Sequence, residues 1–216
     1  SVAADPAFYE EPWSTEKSAK GQFYLATREV EEWLNGTPVK PFDALIQLLT
    51  SVGITSGRLL EVGCGVGYNS HVIRSKFPDI EYSGIDSSPS MIRLARSTGY
   101  DDAANFHLVP DFHWPFEDQS FDFILYGACL GSTCDPQAMV NEARRVMKPR
   151  ATILAHKLLM FPGPGDMVEI DRVAYGQPIK EWAFSESLIK EWFGKMKANV
   201  DWSHGDEGRW IRSAIF

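Results

Sequence analysis

Three glycines at alternate positions, Gly63, Gly65 and Gly67, follow the apolar run Arg58-Leu59-Leu60-Glu61-Val62, and helix-compatible residues continue from Asn69 to Phe77. A strand, a glycine turn and a helix in that order suit one kind of chemistry. Glycine has no Cβ, so backbone can approach a ligand closely, and the helix start offers unpaired N–H groups to an anionic group. Asp86 stands 19 residues after Gly67, at the end of Tyr82-Ser83-Gly84-Ile85. A carboxylate at the end of a second strand can accept both hydroxyls of a ribose. A dinucleotide site wants Gly-x-Gly-x-x-Gly, and here Tyr68 holds the third glycine position; a Walker loop would need Gly-Lys-Ser/Thr, which is absent. Each feature alone also fits a plain structural role, a tight turn for the glycines and a helix N-cap for the aspartate.

The elements that must position these residues alternate along the chain. The sequence predicts strands at 58–62, 81–85, 105–109, 121–126 and 151–158, with helices at 69–76, 90–98 and 136–147 between them. This β-α-β-α order implies a parallel sheet with helices on both faces. Ahead of it, helices are expected at 18–34, ended by Asn35-Gly36, and at 42–52. Behind it, Phe161-Pro162-Gly163-Pro164-Gly165 reads as loop, 185–195 as a helix capped by Ser185, and 199–203 with 209–216 as a hairpin. The acidic run Asp166, Glu169, Asp171 reads as a solvated helix face or as a recognition site for a cationic amine.

Composition narrows the partners. With 216 residues, 44% hydrophobic and 23% charged, the chain suits one globular domain. The net charge of −8 argues against a nucleic-acid backbone as main partner. The cysteines Cys64, Cys129 and Cys134 are odd in number and lack metal-ligand spacing, so a reduced, cytoplasmic chain is expected, with no metal site. No apolar run approaches the length of a membrane span.

Four ordered motifs carry a resemblance. Leu60-Glu61-Val62-Gly63-Cys64-Gly65-Val66-Gly67, Gly84-Ile85-Asp86-Ser87-Ser88 with Met91-Ile92-Arg93-Leu94-Ala95-Arg96, Asp111 before Trp114-Pro115-Phe116-Glu117-Asp118-Gln119-Ser120-Phe121-Asp122, and Glu142-Ala143-Arg144-Arg145-Val146-Met147-Lys148-Pro149 together span about residues 57–158. This pattern resembles the class I S-adenosylmethionine-dependent methyltransferases, in particular their small-molecule, Methyltransf_11-like branch. The resemblance implies a three-layer, Rossmann-like α/β fold whose seven-stranded, mostly parallel sheet ends in an antiparallel hairpin. It implies a single domain over 1–216, with an N-terminal cap (1–40), a cofactor-binding core (57–158), an acceptor-cap insertion (159–184) and a C-terminal helix and hairpin (185–216). It also implies S-adenosyl-L-methionine as cofactor, S-adenosyl-L-homocysteine as product and a small-molecule acceptor.

The same resemblance places residues. Gly63, Cys64, Gly65 and Gly67 would face the methionyl end, with Glu61 ordering that pocket. Asp86 would hold the ribose hydroxyls beside Ser87 and Met91, and Asp111 with the Phe112 backbone would meet adenine. Tyr126 and Gly127 would line the sulfonium side. Tyr9 and Trp13 are lid candidates, able to set an aromatic face against the sulfonium. A base is needed only for a hydroxyl or protonated-amine acceptor. Of His113, His156 and His204, His156 at the end of the fifth strand is the catalytic candidate. Two departures stand out: many relatives carry histidine where this chain has Gly131 and Ser132, and glycine where it has Arg150. The rival readings are an NAD(P)-dependent oxidoreductase and a non-catalytic cofactor-binding or interaction protein of the same fold.

Overall fold

A computed structural model describes residues 9–204 and 210–216, with side chains left out of the description over 201–210. The five parallel strands expected from the sequence are β1 (Ser56–Val62), β2 (Asp79–Asp86), β3 (Phe106–Leu108), β4 (Phe121–Gly127) and β5 (Met147–Phe161). The hairpin β8 (Ala198–His204) and β9 (Trp210–Ile215) completes the seven, while its connecting residues lie outside the described ones. A second hairpin, β6 (Met167–Ala174) and β7 (Gln177–Ser185), brings the sheet to nine strands. The helices are α1 (Glu16–Leu34), α2 (Lys40–Ser51), α3 (Tyr68–Lys76), α4 (Pro89–Ala95), α5 (Pro136–Val146) and α6 (Glu186–Phe193).

Alternation along the strands divides the core in two, because successive side chains leave a strand on opposite faces. Leu60, Val62, Ile124 and Tyr126 pack on one face with Val140 and Ala143 of α5 and Ile189 of α6. Leu59, Leu125 and Leu154 pack on the other with Leu45 and Leu48 of α2, Ile73 of α3 and Ile92 of α4. The result is helix, sheet, helix. Among the described residues no helix is long and apolar enough to cross a membrane.

Strand order runs β3-β2-β1-β4-β5-β7-β6, with β9 and then β8 beside β5. The order reverses between β1 and β4, and ligands in such sheets sit outside the carboxyl ends of the strands at that reversal. β5 serves three partners. At Leu154 its two edges meet β4 (Leu125) and β9 (Ile215); at Met160 they meet β7 (Phe184) and β9 (Trp210). β7 therefore takes the edge that β4 vacates after Gly127, which sets the second hairpin above the carboxyl end of β4.

This corrects the expectation of a solvated helix at the acidic run: Glu169 and Asp171 lie on β6, opposite Trp182 and Lys180 of β7. The turn between them is Tyr175-Gly176, both at positive φ (50° and 73°), the signature of a two-residue type I′ hairpin. The Lys148-Pro149 turn is also different in kind. Arg150 adopts φ 78°, the left-handed conformation that glycine takes at no steric cost, inside a register shift of β5 against β4.

Candidate functional site

The glycine turn is left-handed throughout, with φ of 68°, 53° and 78° at Gly63, Gly65 and Gly67. Neighbours also exclude a side chain. A Cβ on Gly63 would overlap Cys129 Cβ, one on Gly65 would overlap Gln22 Oε1 from α1, and one on Gly67 would lie 2.6 Å from the Phe106 ring. The turn is thus clamped between the end of β4 and the first helix. Gln22 Oε1 accepts from Val66 N–H at 2.9 Å.

Asp86 closes β2 and is tied into this turn. Its Oδ2 accepts from Gly65 N–H at 2.8 Å and its Oδ1 from Ser88 N–H at 2.9 Å. Burial pushes the Asp86 pKa up, opposed by the N–H groups of Ser88, Gly65 and Ser87 that hold the charged form. Gly65 and Ser88 each hold one oxygen, and the carboxylate keeps acceptor capacity for a ligand.

Behind the turn, Glu61 is fully buried, with Tyr82 O–H donating to Oε2 at 2.5 Å and Asn69 N–H to Oε1 at 2.7 Å. Burial pushes its carboxyl up to about 7 in spite of these two bonds, with the nearby Asp86 charge adding to the rise.

A cavity of about 240 Å³ opens in front of the turn. Of the expected cofactor residues, Gly63, Gly65, Asp86, Ser87, Met91, Asp111, Phe112, Gly127 and Trp13 line it. The others stand elsewhere. Glu61 sits behind the turn; Cys64 and Gly67 belong to the turn without lining the cavity, Cys64 packing into the core and Gly67 serving as the left-handed N-cap of α3. Tyr126 is buried and stacks on Phe193. Tyr9 is 1% exposed, stacks on Trp182 and donates to Glu169 Oε2 at 2.6 Å, a packed anchor in place of the expected mobile lid.

His156 does not reach this cavity. It lines a much smaller neighbouring one with Tyr126, Leu158 and Glu181. Its Nδ1 lies 2.9 Å from Ser213 Oγ, and burial drives its pKa well down, so the ring is neutral. The histidine expected to face the acceptor is part of the β5–β9 packing. His113 is exposed, with its backbone N–H donating to Asp111 Oδ1, and the side chain of His204 lies outside the described residues.

Other lining residues carried no signal in the sequence: Gln22, Cys129, Thr133, Lys157, Tyr175 and Glu10. They come from four separate segments that only the second hairpin and the N-terminal segment bring together. Trp13 meets Tyr175 edge to face, and Gln177 Nε2 donates to Thr15 Oγ1 at 2.8 Å. The buried Trp13 indole N–H has no acceptor among the described residues, although buried donors are normally paired. Lys157 is the one lysine, arginine or histidine among the described lining residues; burial pulls its pKa down, while Glu29 and Glu61 oppose the drop.

Comparison with known proteins agrees with this geometry. A family model described as a methyltransferase domain matches residues 60–155. A malonyl-[acyl-carrier protein] O-methyltransferase of Hahella chejuensis is 26% identical over 159 residues, covering 73% of this chain and 56% of that protein. A demethylmenaquinone methyltransferase of Thermotoga maritima is 30% identical over 103 residues, covering 47% of this chain and 44% of that protein. The chain thus spans about half the length of these curated relatives. The structure of a phosphoethanolamine N-methyltransferase from Haemonchus contortus, solved with S-adenosylhomocysteine and phosphomonomethylethanolamine, superposes with a TM-score of 0.61 at 18% identity, over 90% of this chain and 45% of that one. Residues 60–155 are therefore similar to a methyltransferase domain, and the chain shares its fold with a solved methyltransferase.

Proposed function

We propose that this protein binds S-adenosyl-L-methionine in the cavity before the glycine turn and transfers its methyl group to an oxygen or nitrogen of a small molecule, with carbon the third choice, leaving S-adenosyl-L-homocysteine. One observation carries the reading: the left-handed turn, Asp86 and Asp111 line a single cavity at the strand-order reversal. The residues fit the group. Asp86 is oriented by Gly65 and Ser88 so that its remaining acceptor capacity suits two adjacent ribose hydroxyls. Met91 and Val109 offer apolar surface for a purine, and Asp111 an acceptor at its edge. The absence of side chains at Gly63 and Gly65 lets backbone meet an amino acid end.

Bound cofactor supplies a methyl group already activated by a sulfonium. What remains for the chain is alignment, which in model reactions reaches effective molarities on the order of 10⁵ M. Gly127 and Cys129 at the end of β4 would bound the sulfonium side, and Trp13 and Tyr175 would cover it and exclude water. Glu10, Ser132 and Thr133 would form the acceptor wall; there Glu10 Oε1 accepts from Thr133 O–H and Cys134 N–H, each at 3.1 Å.

Calorimetry with S-adenosylhomocysteine and with NAD tests the cofactor. The homocysteine nucleoside should bind and NAD should not, and Asp86→Ala should weaken binding roughly tenfold to a hundredfold, the range for hydrogen bonds to a charged group. Binding of NAD alone would overturn the reading. A radiolabelled methyl-transfer screen over amines, phenols and carboxylic acids tests the reaction, and inactivity across the panel would favour a binding protein.

A further inference from the structure

The pairing of β5 with β9 contains an extra residue. Ala155 faces Ala214 and Leu158 faces Arg212, so His156 and Lys157 together stand opposite Ser213 alone. This is a β-bulge, a device that breaks alternation and re-aims a side chain, often beside an active site. The break is visible in the packing: Ala155 and Leu158, three residues apart, belong to the same face of the core. Ser213 holds the bulge, its Oγ accepting from Lys157 N–H at 3.0 Å and lying 2.9 Å from His156 Nδ1. Lys157 takes φ 58°, a left-handed conformation that costs a non-glycine residue roughly 1–2 kcal/mol.

The strain has a visible result. The bulge delivers Lys157 to the wall that also contains Gly63, Gly65, Gln22 and Gly127. The carboxylates that act on its charge are Glu29 on α1 and Glu61 behind the turn. An amino acid end presents a carboxylate, and a carboxylate leaving water needs a cation.

We propose that Lys157, aimed by the Ser213-held bulge, is the binding residue for the α-carboxylate of the methyl donor's amino acid end. The inference rests on the donor reading above. It assigns the charge match of the glycine-side pocket to the end of β5.

The test compares S-adenosylhomocysteine with its decarboxylated analogue, in which hydrogen replaces the carboxylate, by titration calorimetry. Wild-type protein should prefer the carboxylated ligand by roughly tenfold to a hundredfold, and Lys157→Met should bind both within about twofold. Lys157→Arg, which keeps the charge, should keep a preference. A wild type with no preference overturns the proposal, and that comparison depends on no variant folding. So does a Lys157→Met protein that retains the wild-type preference, or one that loses affinity for both ligands alike, which would mark a purely structural lysine. Wild-type protein that binds neither nucleoside overturns the donor reading itself, so the two failures are distinct.

Discussion

Glu61 is the residue whose ionisation the fold controls most directly. Its carboxyl is raised from 4.5 to about 7, so between those pH values the native chain holds a proton that the unfolded chain has released. The stability it contributes is complete below the unfolded value and is lost as pH rises through the folded one. At about 1.4 kcal/mol per pKa unit the loss reaches roughly 3 kcal/mol. Glu61→Gln should remove this slope, since an amide can still pair with Asn69 and Tyr82. Urea midpoints followed from about pH 5 to about pH 8 should show the variant gaining on the wild type as pH rises; parallel curves would contradict the assignment. Much at this scale was legible in the sequence. Glycine and aspartate report backbone demands and charge by their identity, so Gly63, Gly65 and Asp86 could be found from type and spacing. His156 and Lys157 could not be told apart in this way. Which of two adjacent residues faces a cavity depends on strand parity, and parity here is reset by a bulge whose cause, Ser213, lies 56 residues downstream of Lys157.

The second hairpin explains a departure from the family pattern. A Cβ on Gly131 would lie 2.8 Å from the carbonyl oxygen of Trp182 on β7. A histidine cannot stand there while the hairpin is docked, and Trp182 Nε1 donates to Thr133 O in the same contact at 3.1 Å. The hairpin and the N-terminal segment therefore act as one cap, and two aromatic residues of the N-terminal segment should fail in different ways. Trp13→Ala, at the cavity wall, should weaken binding of S-adenosylmethionine, which carries the sulfonium charge, about tenfold with little loss of stability. Tyr9→Ala, removed from the cavity and fully packed, should cost about 3 kcal/mol of stability. Denaturant titration and calorimetry on both variants check the split, and a reversed pattern would mean that Tyr9 covers the ligand. The hairpin was hidden in the sequence because Val168-Glu169-Ile170-Asp171-Arg172-Val173 is exposed or half-exposed along both faces. Without a buried face, alternation has no apolar side to display. β1 to β5, by contrast, are apolar because helices cover both their faces, and they were readable from composition alone.

For the whole molecule, cofactor binding should be felt as cooperative stability. The cavity is walled by α1, the ends of β1, β2, β4 and β5, and the turn of the second hairpin. A ligand at a hundred times its Kd adds about 2.7 kcal/mol, or roughly 5–10 °C in Tm for a chain of this size. Thermal unfolding should show that rise with S-adenosylhomocysteine and none with NAD; equal shifts would argue against a specific site.

The outermost strand has a consequence of another kind. Among the described residues β6 is paired on one edge only, and an open strand edge offers unpaired N–H and C=O groups to any passing strand of another molecule. Val168 and Val173 leave apolar surface exposed there. Glu169, Asp171 and Arg172 stand among them, answered by Lys180 and Glu181 of β7. To add a strand at this edge, a second chain would have to lie beside these charged side chains. The acidic run, read in the sequence as a solvated face or a recognition site, places charges along an open strand edge, where such side chains disfavour edge-to-edge pairing.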